Sequence, residues 1–311
     1  MKYCFGVDVG GTTVKMGLFQ VDSTLVDKWE IPTRKNLTED VILSDIAKAL
    51  QEKMEEHQIA KENVVGVGMG IPTAVTAEGF VKKVANLGWK NKNVKEELQE
   101  LTGFPVQVGN DANVAALGEM WKGGGEGHKN LVMVTLGTGV GGGIIVDGHI
   151  LTGANGGGGE IGHICVNDEE TECCGCGKKG CLEQYASATG ITRLAKKKLA
   201  DNKRETALHA EYISAKKVFD AVKADDEVAI EVAEEFGSYL GYALANLGAI
   251  LDPEIFVIGG GVSKAGDVLF TYIKKYYEER SFFTCKDVKF ALAKLGNDAG
   301  IYGAAKLIIE A

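Results

Sequence analysis

Short apolar runs alternate with glycine-rich turns near the start of the chain and again near its middle. The first set predicts a meander of three strands, at residues 3–9, 14–21 and 25–31. The second set predicts a strand at 131–136, a Gly/Thr-rich turn at 137–143 and a return strand at 144–146 that leads through an Asp147–Gly148 hairpin to Ile150. This internal similarity predicts two related α/β halves, each with a glycine hairpin.

Apolar residues at helical spacing lie between and beyond these strands. One stripe runs through Ile42, Ile46, Leu50 and Met54, and we expect Thr38 to cap that helix. A longer stripe from Val232 to Leu251 ends before Pro253. The apolar run 255–258 then predicts a buried strand, after which Gly259–Gly261 leads to a helix that we expect Ser263 to cap. Helices that alternate with strands indicate the α/β class.

Composition and charge exclude several functions. The chain of 311 residues has a net charge of −9 and no long basic run, which argues against nucleic acid as a main partner. No apolar run reaches the roughly 18 residues that a membrane helix needs. A strand is predicted within two residues of the N-terminus, so we see no targeting segment and expect a cytoplasmic protein. The 42 glycines cluster in loops, as expected where backbone approaches a ligand.

The glycine loops predict a nucleotide site. Segment 8–15 combines backbone N–H groups and hydroxyls with the Asp8 carboxylate, suited to a nucleotide-bound Mg²⁺, and the Lys15 ammonium, suited to a phosphate. An ordinary hairpin with polar decoration is the alternative. The second loop is followed by a strand, which argues against a dinucleotide fingerprint, and the phosphate-loop and protein-kinase motifs are absent. The predicted nucleotide residues are Asp8, Gly10, Gly11, Thr12, Thr13, Lys15, Gly137, Thr138, Gly139, Gly260 and Gly261.

A carboxylate follows another predicted strand. Residues 106–109 form that strand, Asn110 and Asp111 come next, and a helix is predicted at 114–119. An acid at the carboxyl end of a strand faces the crevice where α/β sheets bind ligands. Phosphoryl transfer to an alcohol needs a carboxylate to accept the hydroxyl proton. Asp111 is therefore a candidate base, and the alternative is that Asp111 or Asn110 only caps the helix.

A cysteine cluster predicts a metal site. His163 is followed by Cys174, Cys176 and Cys181, with glycines between the thiols. Three thiolates and one imidazole form the closed tetrahedral donor set of structural zinc. Free loop cysteines are the alternative for the cluster, and Cys173 is the alternative ligand to Cys174.

Two glutamates, Glu160 and Glu183, flank the cysteine cluster. A metal clip would fix both carboxylates and the free ring edge of His163 for hydrogen bonds to sugar hydroxyls, whereas ordinary surface glutamates are the alternative. We expect the cluster to affect sugar binding much more than nucleotide binding, because the nucleotide loops are expected to lie elsewhere.

These residues together resemble the ROK family of repressors and sugar kinases. The most specific segments are Gly159-Glu160-Ile161-Gly162-His163 and the run from Cys174 to Glu183, and the resemblance extends from Asp8 to Gly303. Residues 70–72 and 86–89 also match sugar-site loops of the family, although Thr73 stands where many members have glycine. The resemblance implies that Asp111 is the catalytic base and that the sugar site contains Asn86, Asn110, Asp111, Glu160, His163 and Glu183.

The resemblance also implies a fold and an activity. The fold is the two-domain actin-like (ribonuclease H-like) α/β fold with an interdomain cleft. We expect a small domain at 1–110, completed by a C-terminal helix at 299–311, and a large domain at 111–298. The run 181–191 is most similar to members that use ATP and Mg²⁺ to phosphorylate glucose at the 6-hydroxyl, an early step of glycolysis.

Two other functions stay open. One is a kinase of an N-acylhexosamine, such as N-acetylmannosamine or N-acetylglucosamine, and the other is a sugar sensor without catalysis. A homo-oligomer, dimer or tetramer, is expected in each case.

Overall fold

The computed structural model describes residues 1–35, 40–200 and 202–311. The strands are β1 Tyr3–Val9, β2 Thr13–Gln20, β3 Leu25–Pro32, β4 Val64–Ile71, β5 Phe80–Val84, β6 Trp89–Asn93, β7 Val106–Asn110, β8 Leu131–Leu136, β9 Val140–Val146, β10 His149–Ile150, β11 Ile255–Gly259 and β12 Lys289–Leu292. The helices are α1 Ile42–Glu56, α2 Val94–Thr102, α3 Asp111–Lys122, α4 Glu183–Ala186, α5 Ala188–Ala200, α6 Ala215–Val222, α7 Glu227–Leu251, α8 Val268–Arg280 and α9 Ala299–Ile309. The predicted α/β class is confirmed.

Two five-stranded sheets repeat one strand order. The first has the order β3-β2-β1-β4-β7 and the second β10-β9-β8-β11-β12. In the first sheet, β1 pairs antiparallel with β2 and parallel with β4, and β4 pairs parallel with β7. In the second, β11 is parallel to both β8 and β12. The internal similarity of the sequence therefore corresponds to a repeated topology.

The chain divides into two compact units. The first contains residues 1–129, 143–159 and 294–311, and the second contains 130–142 and 160–293. This division differs from the expected boundary near residue 110, because α3 and the segment 143–159 belong to the first unit. The C-terminal helix α9 belongs to that unit as well.

Close helix packing explains why α3 lies in the first unit. A Cβ on Gly303 of α9 would lie 1.6 Å from the Val114 carbonyl oxygen of α3. A Cβ on Gly118 would lie 2.3 Å from the Ala299 carbonyl oxygen. The two backbones thus touch at positions where any side chain would separate them. Helix α3 is fixed to α9, and it carries Asp111 at its first residue.

Each unit has its own apolar core. In the first, α1 buries Ile42, Leu43, Ile46 and Leu50 in the cluster that contains Phe5 and Met69 of the sheet. In the second, α7 buries Val232, Phe236, Leu240 and Leu244, and Phe236 meets Phe219 of α6 edge-to-face at 5.6 Å. Among the described residues, none of the helices has the length and apolar character needed to cross a membrane.

Three local predictions are corrected or left aside. The second glycine turn is shorter than expected, since β9 already begins at Val140. Gly143 belongs to this strand, and a Cβ there would lie 2.4 Å from the Ala116 Cβ of α3, so the close approach of the helix requires glycine. Ser263 does not cap a helix; it lies inside a 3-10 turn and its hydroxyl donates to the Gly260 carbonyl at 2.8 Å. Thr38 lies outside the described residues.

Candidate active site

The first glycine hairpin joins β1 to β2. The Gly10 N–H donates to the Thr13 carbonyl at 3.0 Å, which closes the turn. Thr33 fixes it from the side, since its hydroxyl donates to the Gly10 carbonyl at 2.7 Å and its N–H to the Thr12 carbonyl at 2.8 Å. The Asn86 Cβ lies 3.6 Å from the position that a Cβ on Gly11 would take. The structure therefore brings a predicted sugar residue beside a predicted phosphate loop.

The two charged residues of this hairpin face each other across the strands. Asp8 and Lys15 are register partners in β1 and β2. Burial raises the pKa of Asp8, and the Lys15 ammonium partly offsets that rise. A Cβ on Gly300 would lie 2.6 Å from the Asp8 Cγ, so this carboxylate lies against the first turn of α9, where the helix dipole favours negative charge. The close approach of α9 to this carboxylate leaves no room for a side chain at position 300.

Asn110 and Asp111 take the place expected from the sequence, at the carboxyl end of β7 beside the end of β4. Asn110 caps α3, since its Oδ1 accepts from the N–H groups of Ala112 and Asn113 at 3.0 and 3.1 Å. Its Nδ2 donates to the Thr73 carbonyl at 3.1 Å. Asn110 is therefore the residue that caps the helix. Asp111 is the first helical residue, and one of its carboxylate oxygens lies 2.8 Å from the Ala112 nitrogen.

Thr73 fixes its loop through its side chain. Its hydroxyl donates to the Lys83 carbonyl at 2.9 Å, and its N–H donates to the Ile71 carbonyl at the same distance. The loop after β4 is thereby tied both to β5 and, through the Thr73 carbonyl, to Asn110. A threonine hydroxyl supplies here a contact that glycine has no atom to make.

The second glycine loop connects β8 to β9, and residues that follow the cysteine cluster hold it. The Ala188 N–H donates to the Gly137 carbonyl at 2.8 Å, and the Thr189 hydroxyl donates to the Thr138 carbonyl. The Val140 N–H donates to Glu183 Oε2 at 3.1 Å. For the second glycine loop, this arrangement corrects the expectation that the predicted nucleotide loops lie away from the cysteine cluster. The fold places Gly137–Val140 directly against the segment 183–189.

The cysteine cluster forms in the structure. One ligand atom from each of His163, Cys174, Cys176 and Cys181 lies within 4.8 Å of all the others. The Cys176 and Cys181 sulfurs are 3.6 Å apart, and the Cys174 sulfur is 3.9 Å from His163 Nδ1. Cys173 is exposed and lies outside this group, so the geometry favours Cys174 over Cys173.

A tight hairpin brings the cysteines together. The Cys174 N–H donates to the Lys178 carbonyl at 2.7 Å, and the Gly177 N–H donates to the Cys174 carbonyl at 2.9 Å. Gly177 and Gly180 adopt φ values of +84° and +73°, which side chains disfavour. The glycines are therefore required by the fold of the loop that gathers the thiols.

A partly buried ionic network supports this loop. Glu170 accepts a hydrogen bond from the Tyr185 hydroxyl at 2.5 Å and pairs with the Arg193 guanidinium. Burial would raise the pKa of Glu170, but hydrogen bonds from Tyr185, the Glu172 N–H and Arg193 outweigh it and lower that pKa to about 2. Tyr185 also stacks on Tyr239 of α7 at 4.0 Å. The network ties the loop of the cysteine cluster to the core of the second unit.

A cavity of about 410 Å³ lies beside the third glycine segment in the second unit. Its lining includes Ala188, Ser214, Lys216, Phe219, Gly261 and Val262. Gly260 has a φ of +82°, and a Cβ there would lie 2.4 Å from the Leu136 carbonyl oxygen. Gly260 therefore packs against Leu136, the residue that precedes the second glycine loop, next to this cavity.

The sequence pattern of the ROK family matches residues 4–311. The chain belongs to the ROK family. It is 47% identical to a glucokinase of Halalkalibacterium halodurans, over 99% of this chain and 95% of that protein. It also resembles the crystal structure of a ROK family glucokinase from Streptomyces griseus in complex with glucose and AMPPNP, with a TM-score of 0.75, 32% identity and coverage of 99% and 100%.

A third ROK protein has a similar fold. The ROK hexokinase of Thermus thermophilus superposes with a TM-score of 0.81 at 29% identity, over 97% of this chain and 96% of that one. These full-length similarities, with the repeated sheet order, confirm the predicted actin-like sugar kinase fold.

Several residues that position the site were missed from the sequence. Thr33 and Thr189 carry no motif signal, because a threonine that binds a backbone carbonyl looks like any other polar residue. Asn113 is 2% exposed and donates from Nδ2 to the Gly158 carbonyl at 3.3 Å, which fixes the loop before Glu160. Its place in Asn110-Asp111-Ala112-Asn113, one turn after the candidate base, was the available signal.

Proposed function

We propose that this ROK protein is a glucokinase that transfers the γ-phosphoryl group of ATP to the 6-hydroxyl of glucose. The observation that carries the proposal is the full-length 47% identity to a glucokinase together with Asp111 at the carboxyl end of β7. A carboxylate there meets the need of phosphoryl transfer to an alcohol for a proton acceptor.

In the proposed reaction Asp111 acts as the general base. Its carboxylate accepts the proton of the 6-hydroxyl as that oxygen forms a bond to the γ-phosphorus. The bond from the γ-phosphorus to the bridging oxygen breaks, and ADP leaves with those electrons. The rigid attachment of α3 to α9 supports this role, because a base must be held within hydrogen-bond reach of its proton.

The glycine segments are proposed to bind ATP. The N–H groups of Gly10 and Gly137 close their turns by donating to the Thr13 and Gly139 carbonyls. Backbone N–H groups at Gly11, Thr12, Thr138 and Gly139 suit phosphate oxygens, and the Lys15 ammonium adds positive charge. Asp8 would hold the nucleotide's Mg²⁺, which when bound neutralises charge on the phosphates. The cavity beside Gly261, with apolar Phe219 and Val262 and polar Ser214 and Lys216, suits the base and ribose of the nucleotide.

The sugar is proposed to bind Asn86, Asn110, Asp111, Glu160, His163 and Glu183. His163 turns Nδ1 toward the cysteine sulfurs, which leaves Nε2 for a sugar hydroxyl. The Asn110 Oδ1 caps α3, and one N–H of its amide donates to the Thr73 carbonyl. We therefore expect Asn110 to bind the sugar through its second amide N–H.

We propose that the cysteine cluster binds one structural Zn²⁺. A tetrahedron with Zn–S bonds of about 2.3 Å has edges of about 3.8 Å. The 3.6 Å and 3.9 Å separations in the cluster fit this size. His163, Cys174, Cys176 and Cys181 would be the ligands, and four protein ligands leave no position for a reacting water. Elemental analysis should find about one zinc per chain, and a metal-free preparation with full sugar affinity would contradict the proposal.

Activity is tested by ADP release with ATP, Mg²⁺ and a panel of sugars. Glucose should give a much larger kcat/KM than N-acetylmannosamine or N-acetylglucosamine, and the product should be glucose 6-phosphate. Preference for an acylated sugar would indicate an N-acylhexosamine kinase. Sugar binding without ADP release would indicate a sensor. A cytoplasmic location, a place in glycolysis and a homo-oligomeric state stay predictions of the sequence.

A further inference from the structure

We infer that Glu183 is a positioning residue for the second glycine loop, so that it supports the binding of ATP phosphates in addition to its proposed contact with sugar. The inference rests on the proposed kinase function. It concerns contacts that lie wholly within the second unit.

The Glu183 carboxylate contacts two consecutive residues of the loop. Its Oε2 accepts the Val140 N–H at 3.1 Å. A Cβ on Gly139 would lie 1.9 Å from the same oxygen and 2.9 Å from the Glu183 Cδ. Gly139 does not adopt a positive φ, so its backbone conformation does not require glycine. The residue is small because the carboxylate fills the space that a side chain would take.

The other anchors of this loop come from the same short segment. Ala188 and Thr189 bind the carbonyl oxygens of Gly137 and Thr138, whereas Glu183 binds an N–H group. Residues 183–189 therefore bind both carbonyl and N–H groups of the loop backbone. Ordering a flexible backbone costs conformational entropy, and glycine loses more freedom than any other residue. A loop fixed before the nucleotide arrives avoids part of that cost at binding.

Glu183 also reaches the cysteine cluster. Its second oxygen, Oε1, is 3.4 Å from the Cys174 sulfur, and Glu183 follows Cys181 by two residues. One carboxylate therefore contacts both the cysteine cluster and the phosphate loop. Loss of the Glu183 carboxylate should therefore weaken nucleotide binding even when no sugar is present. A residue that served only as a sugar ligand would not have this effect.

The experiment measures the affinity of a non-hydrolysable ATP analogue with Mg²⁺ by calorimetry, in the absence of sugar. Glu183→Ala removes the acceptor of the Val140 N–H, and we expect about tenfold weaker binding, the lower end for a hydrogen bond to a charged group. Glu183→Gln keeps a carbonyl oxygen in the same place and should stay within about threefold of the wild type. Glu160→Ala is the matched control, since it removes another proposed sugar ligand of the second unit and should leave this affinity unchanged.

A second variant tests the contact with Gly139 directly. Gly139→Ala should also weaken analogue binding, because the new methyl group displaces the Glu183 carboxylate. The double variant Gly139→Ala/Glu183→Ala should bind the analogue less than about twofold more weakly than Glu183→Ala alone. In the double variant the new methyl group has no carboxylate to displace. Fully additive losses, or Glu183→Ala with wild-type analogue affinity, would overturn the inference. Absence of glucose-dependent ADP release by the wild type would instead overturn the proposed function, so the two failures are distinguishable.

Discussion

Removal of the Glu119 carboxylate should destabilise the first unit more than any ordinary surface change. Glu119 lies on α3 with 0% of its surface exposed. Its Oε2 accepts from the N–H groups of Gly124 and Lys294 at 2.7 and 2.9 Å, and its Oε1 accepts from the Leu295 N–H at 2.8 Å. Lys294 is the residue at which the chain returns to the first unit. One buried side chain therefore fixes two distant backbone segments.

The magnitude follows from the number of donors that lose their partner. A buried polar group left without a hydrogen bond costs about 1–3 kcal/mol. Glu119→Ala leaves three such N–H groups, so we expect a loss of about 3–6 kcal/mol after partial entry of water into the space. Glu119→Gln keeps one oxygen but turns an NH₂ group toward a backbone N–H, and a loss of about 1–3 kcal/mol is expected. In a domain of 150–250 residues each kcal/mol lowers Tm by roughly 2–4 °C, so Glu119→Ala should lower it by on the order of 10 °C.

The measurement is urea unfolding followed by circular dichroism, with calorimetry to separate the transitions of the two units. The matched control is Glu126→Gln, because Glu126 forms an exposed pair with Lys122 at 3.1 Å and its loss should cost under about 1 kcal/mol. A Glu119→Ala midpoint that moves no further than that of Glu126→Gln would show that the three hydrogen bonds do not hold the segments together.

Three further predictions concern catalysis, acidity and the metal. Asp111→Asn should keep the fold and glucose binding but lower kcat by about 10²–10⁴-fold, and near wild-type turnover would exclude Asp111 as the base. Because the pKa of Glu170 is lowered to about 2, its stabilising effect should be complete above pH 4.5 and fade as the pH falls toward 2; the stability difference between wild type and Glu170→Gln should therefore shrink between pH 7 and pH 3 in urea unfolding, and a constant difference would refute this. Cys176→Ala should lose zinc and weaken both sugar and nucleotide binding, and calorimetry that finds only sugar affected would contradict the contact between the cluster segment and the phosphate loop.

The local pattern of the sequence determined the secondary structure near both glycine hairpins. Strands β1, β2, β3 and β8 begin and end within one residue of their predicted positions, because side chains at a spacing of two and glycines at turns act over a few residues. Helices α1 and α7 are confirmed for the same reason, since a stripe with helical period needs no distant partner to be recognised. The cysteine cluster could be predicted because its three thiols lie within eight residues and tight glycine turns bring them together.

Only the tertiary structure decided how these elements support the candidate site. Helix α3 joins the first unit because Gly118 and Gly303 let its backbone touch α9, a contact between segments far apart in the chain. The bond from the Val140 N–H to Glu183 spans 43 residues, and that from the Lys294 N–H to Glu119 spans 175. No periodicity encodes such pairs, since a glutamate that accepts a buried N–H and one that faces water have the same side chain. The packing of the whole unit decides which glutamate is buried. A buried N–H group without a hydrogen-bond partner costs free energy, so the folded unit pairs it with a buried carboxylate.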